Sequence, residues 1–178
     1  MPPPLSSLEP PGAQVNIVDR LLGADANPNG GPGIPPLFRA MRHGSTKLVA
    51  RLLDAGASTA ERSPDSPQGH MVAALLFAMY IEFTPVEIVQ QLLKAGADIG
   101  ELMHGEEGLT VLHHNVVHEN ARTDVLIALL KAAPRQVINQ RSYKEHQTPL
   151  HVLSLTESRT RAAACSTLPA RADRRIDR

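Results

Sequence analysis

A Leu-Leu pair recurs along this chain at Leu21-Leu22, Leu52-Leu53, Leu92-Leu93 and Leu129-Leu130, in steps of 31, 40 and 37 residues. Recurrence at that spacing restricts the chain to architectures in which one short supersecondary unit stacks on copies of itself. The residues after each pair strengthen the reading. Leu52-Leu53-Asp54-Ala55-Gly56-Ala57 and Leu92-Leu93-Lys94-Ala95-Gly96-Ala97-Asp98 are nearly one phrase, and Leu21-Leu22-Gly23-Ala24-Asp25-Ala26-Asn27 places Asp25 where the others carry Gly. A helix often ends in a left-handed residue, which is Gly by preference and which Asp or Asn tolerates better than most. Each phrase therefore reads as the close of a helix.

A second phrase alternates with the first: Pro35-Pro36-Leu37-Phe38, Thr110-Val111-Leu112-His113 and Thr148-Pro149-Leu150-His151. These read as helix starts, because Thr can cap free amides and Pro at the first helical position forfeits no hydrogen bond. Ala73-Ala74-Leu75-Leu76 is the counterpart in the third unit, although Gly69 permits another register there. Leu37, Ala40 and Met41 share one helical face, and after Gly44 the residues Leu48, Val49, Leu52 and Leu53 share the next. Small Ala40 and Ala78 allow neighbouring helices to approach closely. Each unit is thus helix, tight turn, helix, Gly-bearing turn and extended loop.

The alternation resembles the ankyrin-repeat family, whose pattern runs roughly GxTPLHxAAxxG and then VxxLLxxGADxN with a period near 33 residues. Gly33 to Gly44 followed by Val49 to Ala57 fits both halves, Gly108 to His113 and Gln147 to His151 fit the first half, and Val89 to Asp98 fits the second. The resemblance covers about residues 15–155. It implies an all-α repeat fold, an ankyrin-type helix-turn-helix solenoid with short β-hairpin-like loops. It also implies that His113 and His151, at the family's TPLH histidine, tie each helix start to its Thr and to the adjacent unit.

The pattern has departures. Leu37 to Leu52 spans 15 residues, but Leu75 to Leu92 and Leu112 to Leu129 each span 17, placing two extra residues near the inter-helix turns of the third and fourth units. Asn115 stands where the pattern has a small apolar residue, and the loops at 60–70 and 100–107 are enlarged. Residues 15–29 supply only a second helix, and 148–155 only a first. The expected organisation is a Pro-rich disordered start (1–14), the repeat domain (15–155) and a disordered Arg/Ala-rich tail (156–178). The tail is either a mildly basic extension or unrelated coding after a truncated repeat; the stop in mid-unit favours truncation.

Composition narrows the function classes. Lys plus Arg is 18 and Asp plus Glu is 18, so no net field draws the chain to nucleic acid or anionic lipid. Aromatics are 3% and Trp is absent, which suits thin layers of small helices. Cys165 is the single cysteine, too few for an intramolecular disulfide or a Cys zinc cluster. Residues 1–16 lack the basic start and apolar run of a secretion signal, and no stretch reaches the ~18 apolar residues of a membrane span. The expectation is an intracellular protein, cytoplasmic or nuclear and not secreted, with no membrane or nucleic-acid partner. The arginines of the tail, diluted by Glu157, Asp173 and Asp177 and without interleaved rings, read as a solvated segment.

No nucleophile elbow, phosphate loop or dinucleotide fingerprint is present, and Gly30-Gly31-Pro32-Gly33 lacks the Lys-Ser/Thr of a phosphate loop. The chain therefore reads as a non-enzyme without cofactor. One cluster offers an alternative, a metal-binding site or metal-dependent enzyme: His113, His114 and His118, with His104 upstream, could hold a metal, since His114 and His118 lie four apart on a helix. No carboxylate or Cys completes such a site, and a structural role outweighs it. The leading expectation is a scaffold or adaptor that holds another protein, of unspecified identity, with oligomeric state open; a remnant without independent function is a third reading. In ankyrin-like stacks the first helices and loop tips line the concave face. By position this places Arg39, Arg42, His43, Phe77, Tyr80, Ile81, His114, Val117 and His118 on the partner surface, with Phe77 and Ile81 turning into the core if the insertion rotates their helix.

Overall fold

The computed structural model describes residues 13–31, 33–63, 72–81, 84–102, 108–117 and 122–155, and among these the protein is mostly helical. Helices α1 (Ala13–Leu22), α2 (Pro36–Arg42), α3 (Thr46–Asp54), α4 (Ala74–Tyr80), α5 (Val86–Lys94), α6 (Val111–Val117), α7 (Thr123–Ala132) and α8 (Arg135–Ile138) follow in order, and residues 149–155 form a final helix. Strand is confined to β1 (Arg62–Ser63) and β2 (Val72–Ala73), antiparallel with Arg62 opposite Ala73, and to an isolated bridge between Leu102 and Thr110. The helices pair as α2 with α3, α4 with α5 and α6 with α7; α2, α4 and α6 contact in one row, and α1, α3, α5 and α7 in another. The core lies between these rows.

Local chemistry accounts for the element boundaries. Pro36 occupies the start of α2, where its missing N–H is no loss. Gly44, at φ 64°, turns the chain out of α2, and Ser45 caps α3 by accepting from the Leu48 N–H at 3.4 Å. Helices α3 and α5 end alike. The Ala57 N–H reaches the Leu52 carbonyl at 2.9 Å and the Ala97 N–H reaches Leu92 at 3.0 Å, around Gly56 and Gly96 in the left-handed region. Such a closure satisfies carbonyls that a helix end leaves without intrahelical donors. Helix α1 ends the same way, the Ala26 N–H reaching Leu21 at 3.1 Å, with Asp25 at φ 61° in place of the glycine.

The described helix begins at Ala13, two residues inside the segment expected to be disordered. The rest of that segment, Gly69, His104, His118 and the tail 156–178 lie outside the described residues. In the third unit the helix starts at Ala74 behind Ala73, in the register expected from Ala73-Ala74-Leu75-Leu76. The two extra residues leave helix length untouched: α2, α4 and α6 each have 7 residues, and the connectors to the following helix lengthen instead. A longer connector lets the apolar faces keep their alignment, which an insertion inside a helix would rotate by ~100° per residue.

The core is aliphatic. Leu37, Leu75 and Leu112 are each 1% exposed on the first row, and Leu52, Leu92 and Leu129 are 5%, 0% and 0% exposed on the second. Its aromatic component is Phe38 against Phe77, ring centroids 5.0 Å apart at 70°. That edge-to-face contact is a favourable ring arrangement and adds to the area buried.

Candidate partner-binding face

The helix starts of the first row position everything that follows, and α6 shows how. Thr110 and His113 are fully buried. The Thr110 N–H donates to Nδ1 of His113 at 3.2 Å, and the Thr110 hydroxyl lies 2.8 Å from the same nitrogen. An Nδ1 that accepts leaves the proton on Nε2, which donates to the Gln147 carbonyl at 2.9 Å. The imidazole thus joins the start of α6 to the segment that leads into the final helix. Burial lowers its pKa, partly opposed by the Gln147 hydrogen bond. With both ring nitrogens committed, His113 has no lone pair for a metal, and this takes it out of the histidine cluster considered from the sequence. Among the described residues no three His, Cys, Asp or Glu side chains group as metal ligands.

Between the ends of α4 and α6 and the starts of α5 and α7 lies a groove of about 290 Å³. Met79, Ile81, Val89 and Val125 supply apolar wall, and Tyr80, Thr84, His114, Asn115 and Arg122 supply polar groups. Tyr80 and His114, both half-buried, meet edge to face with centroids 5.1 Å apart at 74°. Burial pushes the Tyr80 hydroxyl pKa up, keeping it a neutral donor. Arg122 donates to the Thr84 carbonyl and to the Asp124 carboxylate at 2.6 Å, so its guanidinium spans the two lengthened connectors. The Arg122 hydrogen bond holds the Asp124 carboxyl below its usual range. Asn115 is 6% exposed and among the described residues its Oδ1 has no hydrogen-bond donor, a costly arrangement for a buried amide.

The residues expected on the partner surface divide. Arg39, Arg42 and His43 are exposed at the end of α2, and Tyr80, Ile81 and His114 line the groove. Phe77 requires correction: it is 3% exposed and packs on Phe38, so it belongs to the core. Helix rotation is not the reason, because Leu75 beside it keeps the buried position of Leu37 and Leu112. The ring packs on the preceding pair, edge to face with Phe38. Val117 ends α6, with nothing described of its side chain, and His118 lies outside the described residues.

Arg122, Thr84, Met79 and Val125 were not foreseen. For Thr84 and Arg122 the signal was the two-residue insertion, since both sit in the lengthened connectors; Met79 on α4 and Val125 on α7 carried none. Chemically, the groove can enclose an apolar side chain and offer donors and a cation at its rim. It holds no nucleophile paired with a base among the described residues. No helix among the described residues is long and apolar enough to cross a membrane.

Comparison with known proteins finds no family model that matches the chain and no curated relative.

Proposed function

We propose that the chain is a non-catalytic protein-recognition module built as an ankyrin-type repeat solenoid, with the groove between α4 and α6 as its anchor point. The observation that carries this reading is the groove's make-up: an apolar recess flanked by a Tyr80–His114 ring pair and Arg122. Tyr and Arg are over-represented among the residues that dominate binding energy, above all where a pocket excludes water. Arg39, Arg42 and His43 extend the surface at the end of α2. The two rows of paired helices, the shared helix closures at Asp25, Gly56 and Gly96, and the Thr110–His113–Gln147 linkage all support the ankyrin-type reading. Stacked repeats bury their sides against neighbours and leave a long face for partners, which suits a scaffold or adaptor. The absence of net charge fits a polypeptide partner better than a nucleic acid.

Affinity capture from cell extract with the full chain as bait, read by mass spectrometry, tests this. A selectively retained protein should bind the Tyr80→Ala variant at least about tenfold more weakly, as expected for a central ring anchor. The helical circular dichroism of the variant should match that of the parent. Equal retention by both chains would remove the groove as the site, and the lack of any selective partner would remove the recognition reading.

A further inference from the structure

The two ends of the described stack are halves of the same thing. Helix α1 is a second-row helix with no described first-row helix before it. Residues 149–155 form a helix that opens on the same phrase as the first-row helices, is linked to α6 through the Gln147 carbonyl, and has no described second-row helix after it. The positions that suffer from this correspond. Leu21 is 55% exposed, whereas Leu52, Leu92 and Leu129, which open the same Leu-Leu pair in α3, α5 and α7, are 5%, 0% and 0% exposed. Leu150 is 74% exposed, whereas Leu37, Leu75 and Leu112, at the same place in α2, α4 and α6, are each 1% exposed. Ile17 on α1 and Leu153 and Leu155 on the final helix add exposed apolar area at the respective ends.

The final helix is also prepared for a neighbour. Thr148 Oγ1 lies 2.7 Å from His151 Nδ1, reproducing the 2.8 Å contact between Thr110 and His113. In His113 the other ring nitrogen carries the link to the next helix start, at the Gln147 carbonyl. His151 is exposed, and among the described residues nothing receives its Nε2.

We propose that these faces dock on each other: the final helix of one copy pairs with α1 of a second copy, completing one helix pair from two halves. The interface continues the one that already joins successive pairs inside the chain, with α7 of the first copy against α1 of the second as α5 lies against α7. The occupant is a second copy of this chain because Leu21 leaves exposed on α1 the position that is buried in the paired helices α3, α5 and α7, and the helix carrying exposed Leu150 at the other end supplies the complementary face. Pairing unlike faces makes the association head-to-tail, and since each added copy leaves one free face of each kind, it is open-ended.

Sedimentation velocity on the full-length protein over a concentration series is the test. The parent chain should show a weight-average mass that climbs with concentration past the dimer. Leu21→Glu and Leu150→Glu each place a charge on one face only, at an exposed position that folding does not need filled. Each variant alone should stay monomeric. Mixed in equal amounts they should form a dimer and stop there, because the first retains a good final helix and the second a good α1. A parent chain monomeric throughout, as when its own terminal residues or another protein cover these faces, would overturn the proposal. So would a Leu21→Glu variant that still dimerises, since that is like-face pairing of the final helix. Unchanged helical circular dichroism and melting of both variants keep a folding defect from passing for lost association.

Discussion

At the residue scale, His113 shows how one buried imidazole can carry structure without chemistry. Its pKa is lowered by burial, so between the ordinary value of 6.5 and its folded value the unfolded chain binds more protons than the folded one. The stability it contributes is therefore fully present above pH 6.5 and is lost as pH falls through the folded pKa. Urea unfolding across that window should show stability falling with acidity in the parent and a shallower fall in His113→Ala. At neutral pH that variant should also be less stable by about 2–3 kcal/mol, because it loses both ring hydrogen bonds and leaves space in the core. A pH dependence identical in both chains would mean that other groups set it. The identity of this residue was legible in the sequence as part of a recurring helix-start phrase. Its burial was not, since His151 has the same phrase and the same Thr contact yet stands in solvent. What separates them is whether a neighbour follows. Phe77 makes the same point in reverse: one position read as surface became core because Phe38, 39 residues earlier in sequence, lies within ring contact.

At the scale of elements, the helix ends were the most legible part of the chain. The closing turn is a local matter of hydrogen bonds across five or six residues, so a phrase of that length carries its cause with it. Asp25 was read as a stand-in for glycine, and its φ of 61° places it in the left-handed region. Asp25→Gly should therefore stabilise the fold by roughly 0.5–1 kcal/mol, since Gly adopts that conformation without the steric cost borne by a residue with Cβ. Thermal unfolding of the two chains decides it, and a lowered melting temperature would mean that the Asp side chain makes a contribution larger than the strain. The connectors were less legible. Their extra length could be counted, but whether it rotated α4 and α6 or merely widened the turns depends on packing on both sides. The connectors took up the extra length, because the Leu75 and Leu112 faces gain more from staying in register than a loop costs by lengthening.

For the whole molecule, the proposed repeat solenoid implies a stability that is a sum of neighbour contacts. Amide hydrogen exchange should accordingly be slowest in α3 and α5, which are packed on both sides, and fastest in α1 and the final helix, where Leu21 and Leu150 are exposed. Uniform protection along the chain in dilute solution would contradict that picture. If the ends associate, raising the protein concentration should slow exchange in α1 and the final helix first. From the sequence alone, the Leu-Leu phrase and the chemistry of helix starts and stops determined that the chain forms short helices, where α2, α4, α6 and the final helix open, and where α1, α3 and α5 close; α8 carries neither phrase. Those signals are local, or repeat with a period that can be read directly. Tertiary structure decided which equivalent residues are buried, that Phe77 leaves the surface, and that Arg122, Thr84, Tyr80 and His114 converge on one groove. Those outcomes depend on contacts between segments some 30–40 residues apart, and no short stretch of sequence contains both sides of such a contact.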